Sequence, residues 1–344
     1  MPIEVPVTDR RGRLLFGSLM CLTLGLVACS SPSASGPSAG RELPSASPSA
    51  SASASPAPDA VLAPMTGVAT TAAIAARPAV AVPISVGGTR PPSGTGSADI
   101  VYAEWDGSAG IRLLALFQSQ DNTGVGPVAG LAPSDAKLLP VIKPVLAAGS
   151  SYAKFSRQAD AAGLNVATVS EHPTAFQQSG GIAYASTAAL RALAPAGSRP
   201  PQGLFPLAAA DDQLAAIGMR PVTRFKVPAA VRPVFSWSWD AASKRWHATV
   251  GGAAVSAANV IVLVMGYKSV LAKSPQGPAV PTANIFGTGN AYAVSGPNGA
   301  AGRWARNGPL KIHTVATADG VTMRFAPGPT WVILVPDGNA WAVA

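Results

Sequence analysis

The stretch Asp99-Ile100-Val101-Tyr102-Ala103-Glu104-Trp105-Asp106-Gly107-Ser108-Ala109-Gly110-Ile111-Arg112-Leu113-Leu114-Ala115-Leu116-Phe117 reads as two β-strands joined by a tight turn. Apolar, β-branched and aromatic residues fill both arms, which suits a pleated surface. Gly107-Ser108-Ala109-Gly110 between them is a hairpin signal. Arg112 stands inside the second, apolar arm, between Ile111 and Leu113. A guanidinium buried there needs a partner. Glu104 or Asp106 across the hairpin is the structural candidate, and a ligand anion is the functional one.

Outward from this hairpin the amino half reads as mixed α/β. Residues 79–86 predict a strand, and Pro83 within it predicts an edge position. Pro133-Ser134-Asp135 opens a short helix, with Ser134 able to cap the run from Ala136 and Pro140 set to end it. Residues 155–162 and 187–193 predict further short helices, and 124–130 form a glycine-rich loop. The carboxyl half reads as β. Residues 234–239 alternate and pair with 245–250, while 259–265 form a fully buried strand. Strands are also expected at 291–294, 300–305, 321–325 and 331–335. The fold class is α+β: a mixed α/β subdomain at 64–219, then a mainly antiparallel β subdomain at 220–344.

Charge divides the chain at the same place. Residues 64–219 carry nine basic and nine acidic side chains, whereas 220–344 carry twelve basic and three acidic. The carboxyl part thus holds the whole net charge of +9, together with six of the seven tryptophans.

The amino terminus predicts an address. Arg10, Arg11 and Arg13 precede an apolar run from Leu14 to Ala28, which ends in Leu26-Val27-Ala28-Cys29. A basic segment, a short apolar run and small residues make a secretory signal. The run falls short of the roughly 20 residues a membrane span needs. A Cys directly after the small residues is a bacterial lipobox, so residues 1–28 are expected to be cleaved and Cys29 to carry lipid, diacylglycerol with palmitate-like chains. Cys21 would leave with the signal, so disulfides and cysteine metal sites are not expected. Residues 29–63 read as a disordered Ser/Ala/Pro tether, reaching on the order of 30 Å. The expected location is the extracytoplasmic face of the cell membrane.

No catalytic constellation is legible. His172, His247 and His313 are far apart, without metal-ligand spacing, and no Gly-x-Ser-x-Gly elbow occurs in residues 64–344. No cofactor or metal is expected. Arg303-Trp304-Ala305-Arg306 is the most suggestive cluster. On a strand, Trp304 and Arg306 share a face and Arg303 takes the other. An indole beside a guanidinium suits an anionic sugar or lipid headgroup. The alternative is a core tryptophan flanked by solvated edge charges.

Several short motifs in order resemble the YerB-like lipoproteins, a family of unknown function. In the carboxyl half these are Ala258-Asn259-Val260-Ile261-Val262, Gly287-Thr288-Gly289-Asn290-Ala291, Gly302-Arg303-Trp304-Ala305-Arg306 and Pro327-Gly328-Pro329-Thr330-Trp331-Val332. In the amino half they are Arg90-Pro91-Pro92-Ser93-Gly94, Ala98-Asp99-Ile100-Val101-Tyr102, Arg112 and Gly126-Pro127-Val128. The resemblance implies a membrane-anchored extracytoplasmic protein with two subdomains, and no known activity. It also exposes departures. Ser85 and Val86 stand where the family pattern has an Asp-Asn pair, and Gly107 where it has Glu. Ala129 and Ala132 stand where it has two arginines, and Gly180-Gly181-Ile182 where it has Pro-His-Asn. Such groups converging on one site would suit a polar ligand or acid/base chemistry. Their loss implies little of that chemistry here.

The expected function is a lipid-anchored, non-catalytic binding or scaffolding module. Its candidate ligand residues are Arg90, Glu104, Arg112, Arg303, Trp304 and Arg306, and its candidate partners are anionic phospholipid or acidic cell-wall polymer. The alternatives are a structural partner of another membrane or envelope protein, or an envelope hydrolase whose site would join Arg112, Glu104 and Asp135. Export argues against nucleic acid as the partner of the basic half.

Overall fold

The computed structural model describes residues 60–106, 110–208, 219–227, 235–273, 278–338 and 342–343. Cys29, the signal, nearly all of the tether and the turn residues 107–109 lie outside them. Among the described residues, no helix is long and apolar enough to cross a membrane.

The strands of the amino half are β1 (Val80–Ser85), β2 (Ile100–Trp105), β3 (Ile111–Phe117), β4 (Val145–Ala148), β5 (Asn165–Thr168), β6 (Phe176–Ser179) and β7 (Ile182–Ala185). Among the described residues, four short α-helices accompany them: α1 (Ala72–Ala75), α2 (Asp135–Leu138), α3 (Ala153–Ala161) and α4 (Thr187–Ala192). The carboxyl half opens with β8 (Arg220–Pro221), β9 (Arg224–Val227), β10 (Phe235–Asp240), β11 (Arg245–Val250), β12 (Ala253–Ala257) and β13 (Asn259–Met265). There follow β14 (Tyr267–Leu271), β15 (Ala279–Ala283), β16 (Gly287–Ser295), β17 (Asn298–Arg306), β18 (Thr314–Thr317), β19 (Thr330–Pro336) and β20 (Ala342–Val343). The class is α+β, as the alternation and turn signals predict.

One 11-stranded sheet runs β18-β17-β16-β13-β19-β2-β3-β1-β4-β5, with β8 beside β17. It crosses both halves of the chain, because β19 lies parallel to β2, Trp331 opposite Val101. A five-stranded sheet, β12-β11-β10-β9-β20, stacks on one face. Two cores result. Val101, Leu113, Val262 and Trp331 meet Phe225, Trp237 and Trp246 of the smaller sheet in the first. Tyr102, Leu114, Ile261 and Val332 meet Leu138 and Phe155 of α2 and α3 in the second. Successive residues of a strand thus enter different cores. That is why β3 and β13 are buried at every position. Trp237 and Trp331 join the layers edge to face at 5.6 Å.

Three expectations need correction. Pro83 is not on an edge: β1 lies between β3 and β4. Proline is tolerated because β4 pairs only Val80 and Ala81, so at Pro83 no ladder donor is required, and its carbonyl accepts from Ala129 N at 2.8 Å. Ser134 precedes α2 but makes no capping bond; its hydroxyl is used elsewhere, as described below. Residues 321–325 form no named strand. Met323 and Phe325 are buried there, and single bridges tie Thr322 to Ala316 and Phe325 to Leu207. Pro140 does end α2, as a 3-10 turn over Leu139–Val141.

Candidate functional site

The register of the hairpin places Glu104 opposite Arg112. Both are buried in the second core, where charge must be compensated. The ion pair, however, is made elsewhere. Arg112 Nη2 reaches Asp135 Oδ2 at 2.7 Å, and Arg112 Nε donates to the Gly130 carbonyl at 3.3 Å. The expectation of Glu104 or Asp106 as the partner is therefore corrected. Asp135, at the start of α2, is fully buried and also accepts from Ala132 N at 2.8 Å. Gly130 permits this loop path, because a Cβ there would overlap the Ser150 carbonyl. Glu104 instead accepts a 2.6 Å hydrogen bond from Ser134 Oγ, the hydroxyl that does not cap α2.

This cluster is under-satisfied. Glu104 Oε1, Arg112 Nη1 and Asp135 Oδ1 are buried without a hydrogen-bond partner. Burial raises the Glu104 carboxyl to about 7; Asp135 adds to the rise, while Arg112 and the Ser134 bond oppose it. Nearby, burial pushes the Tyr102 phenol up to about 12 and raises that of Tyr267, whose hydroxyl donates to Leu334 O at 2.8 Å.

Above the cluster lies a cleft of about 230 Å³ lined by Ser85, Asp106, Arg112, Ser150, Ser151 and Tyr152, among others. Three of the departures named above, Ser85, Ala129 and Ala132, line it as well. Small groups therefore line the place where the resemblance would put charged ones. Arg112, Glu104 and Asp135 do converge, but Glu104 and Asp135 sit beneath this cleft and do not line it. A Glu that holds its proton near neutrality suits general acid chemistry only when it reaches a substrate, and this carboxyl is sealed in.

The other candidates separate. Arg90 is exposed on the loop after β1 and joins none of these contacts. Its motif is structural: Pro92 is buried, and Gly94, at φ 81°, lets the loop press on Val125. Trp304 is core, donating Nε1–H to Val264 O at 2.7 Å. Gly289, opposite it in register, leaves the space that the indole crosses. Arg303 is exposed and reaches Asn290 Oδ1 at 3.4 Å. Arg306 is no solvated edge charge: it is 2% exposed and donates to the carbonyls of Lys311, Lys137, Leu138 and Pro309. Its guanidinium ties α2 to β17 and also lies 5.5 Å from the Phe286 ring centroid.

Sequence reasoning did not find the buried polar lock at Asn259. Its Nδ2 donates to Ala326 O and Thr330 Oγ1, and its Oδ1 accepts from Ser295 Oγ at 2.6 Å. It fastens β13, β16 and β19 together. An Asn opening an otherwise apolar strand was the visible signal. Nor was His313 found to be buried. Desolvation, with Arg306 nearby, pushes it down to about 3, and its Nε2 has no partner. Among the described residues, no group of three or more His, Cys, Asp or Glu could hold a metal ion.

Comparisons with known proteins agree with this geometry. The solved structure of the YerB protein from Bacillus subtilis matches with a TM-score of 0.67 at 19% identity, over 83% of this chain and 99% of that one. At that identity the likeness is one of fold. No curated protein matches the chain. Residues 65–196 match the amino-terminal domain, and 225–332 the carboxyl-terminal domain, of the protein of unknown function DUF3048. With both domains of one family matched in order over well more than half of its length, the chain belongs to the YerB-like, DUF3048 family of unknown function.

Proposed function

We propose that the protein is a lipid-anchored extracytoplasmic binding module, held at the membrane by Cys29, whose carboxyl half associates without catalysis with anionic envelope material. The observation that carries this reading is the state of the basic residues. Of the eleven in residues 220–344 that the described residues include, nine are exposed. Among the described residues, no Arg or Lys of this half pairs with a carboxylate. On β9, Arg224 and Lys226 face outward while Phe225 and Val227 enter the core. Register sets Ser238 and His247 beside Arg224 on the same outer face. Solvated cations near an anionic surface contribute about 1 kcal/mol each, within a Debye length. The tether supplies the reach.

Two measurements test the reading. Cys29→Ala should release the protein from the membrane fraction or block its processing; normal processing with full retention would exclude the lipid anchor. The chain starting at residue 29, carrying Cys29→Ala, should co-sediment with phosphatidylglycerol vesicles or wall polymer at low salt and let go at high salt. Equal binding to neutral phosphatidylcholine vesicles would exclude the anionic partner.

A further inference from the structure

A separate groove of about 610 Å³ opens between α2, α3 and β14. Its walls are apolar: Pro140, Ala162, Val270 and Leu310 all contribute. Leu310 is the most exposed large apolar side chain among the described residues, at 64%. Only three of its lining side chains are polar, and two are Lys137 and Lys268. Neither lysine is in an ion pair among the described residues. Burial, joined by repulsion from Lys268, lowers the Lys137 ammonium, and Glu104 opposes the shift. A neighbouring cleft of about 720 Å³ shares Pro140 and Leu310 and adds Lys143 and Arg199. No acidic side chain lines either space.

Like charges held side by side with no acidic side chain on the groove wall, the buried Glu104 acting on Lys137 only from within the core, next to an apolar trough, complement one kind of molecule. We infer that this groove binds a single-chain anionic amphiphile, a long aliphatic chain ending in a carboxylate, with the chain along Val270, Ala162 and Leu310 and the head between Lys137 and Lys268. The size falls in the range of small-molecule sites, which are mostly apolar with a few placed polar groups. Lysines suit a compact anionic head, as point charges with rotatable donors. The groove is distinct from the cations of β9, so it stands or falls apart from the function proposed above.

The test uses the full chain and dodecanoate, titrated calorimetrically below its micellar concentration. One saturable site is expected, with dodecyltrimethylammonium and acetate both far weaker. Lys137→Gln with Lys268→Gln should weaken dodecanoate by about tenfold. Val270→Trp, which fills the trough and leaves the charges, should abolish binding. Arg224→Gln with Lys226→Gln should leave it unchanged. Thermal melts confirm that each variant folds. Dodecyl phosphate in place of dodecanoate reports whether the head is a carboxylate or a phosphate; a clear preference for phosphate overturns the carboxylate assignment. Absence of saturation, equal binding of the cationic chain, or full affinity in both groove variants overturns the inference. A dimer that Leu310→Asp dissociates would assign the groove to a second copy instead.

Discussion

Arg112 on β3 and Arg224 on β9 both sit at the start of a strand, yet one is buried in an ion pair and the other stands in water. The difference lies in what covers the sheet. The large sheet is covered on both faces, so each position of β3 enters a core and a charge there must find an internal partner. The five-stranded sheet is covered on one face only. Its strands alternate, and β9 places cations on the open side at no desolvation cost. The amino half also joins Arg77 and Arg191 to Asp121, while in the carboxyl half, with three acids, no Arg or Lys among the described residues pairs with a carboxylate. Charge in the first region holds the fold together, whereas in the second, the buried Arg306 apart, most of the described cations stand in solvent.

The sharpest way to break this contrast is to truncate each arginine. Arg112→Met strands Asp135 in the core and should cost about 3–5 kcal/mol. Arg224→Met should cost under about 0.5 kcal/mol. Denaturant titration of both chains checks the pair, and similar losses would falsify the distinction. Adding Asp135→Leu to Arg112→Met should recover much of the loss, because no buried charge is then left alone.

The next largest effect concerns pH. Glu104 has a folded value of about 7 against 4.5 unfolded. The native state therefore holds its proton longer, and stability falls as pH rises from 4.5 to 7. Glu104→Gln should remove that fall, so that its stability relative to the parent rises by about 3 kcal/mol between pH 4.5 and pH 8. A stability profile unchanged by the substitution would mean that the carboxyl is solvated.

His313 gives the opposite slope. Its folded value of about 3 lies below the 6.5 of the unfolded chain, so stability is lost as pH falls below 6.5. His313→Leu should flatten this acid limb by about 3 kcal/mol between pH 6.5 and 4. Thermal melts across that range check it.

The smallest effect on stability, and the largest on association, is expected at β9. Arg224→Gln with Lys226→Gln should stay within about 0.5 kcal/mol of the parent. It should weaken co-sedimentation with phosphatidylglycerol vesicles several-fold at low salt and have little effect at high salt. Unchanged binding would move the anionic contact to other cations of the carboxyl half.

Local pattern alone determined a good deal. Glycine spacing set the 99–117 hairpin. The unbroken apolar run at 259–265 marked a strand buried on both sides, and the alternation at 235–250 marked one buried on one side. Pro140 marked the end of α2, and residue counts alone divided the charge at 220. These readings succeed because turn chemistry, period and composition are properties of neighbouring residues. Only the tertiary structure decided that Asp135, 23 residues on, takes Arg112 from its cross-strand neighbour Glu104. It likewise decided that Ser134 serves Glu104 and not a helix, that Pro83 lies inside a sheet, and that Arg306 is buried while Arg303 is not. Each of those outcomes depends on which element covers a given face. A layer brought in from far along the chain removes water from a charge or a proline that the local sequence would leave solvated, and hydrogen bonding then follows the partner that burial leaves within reach.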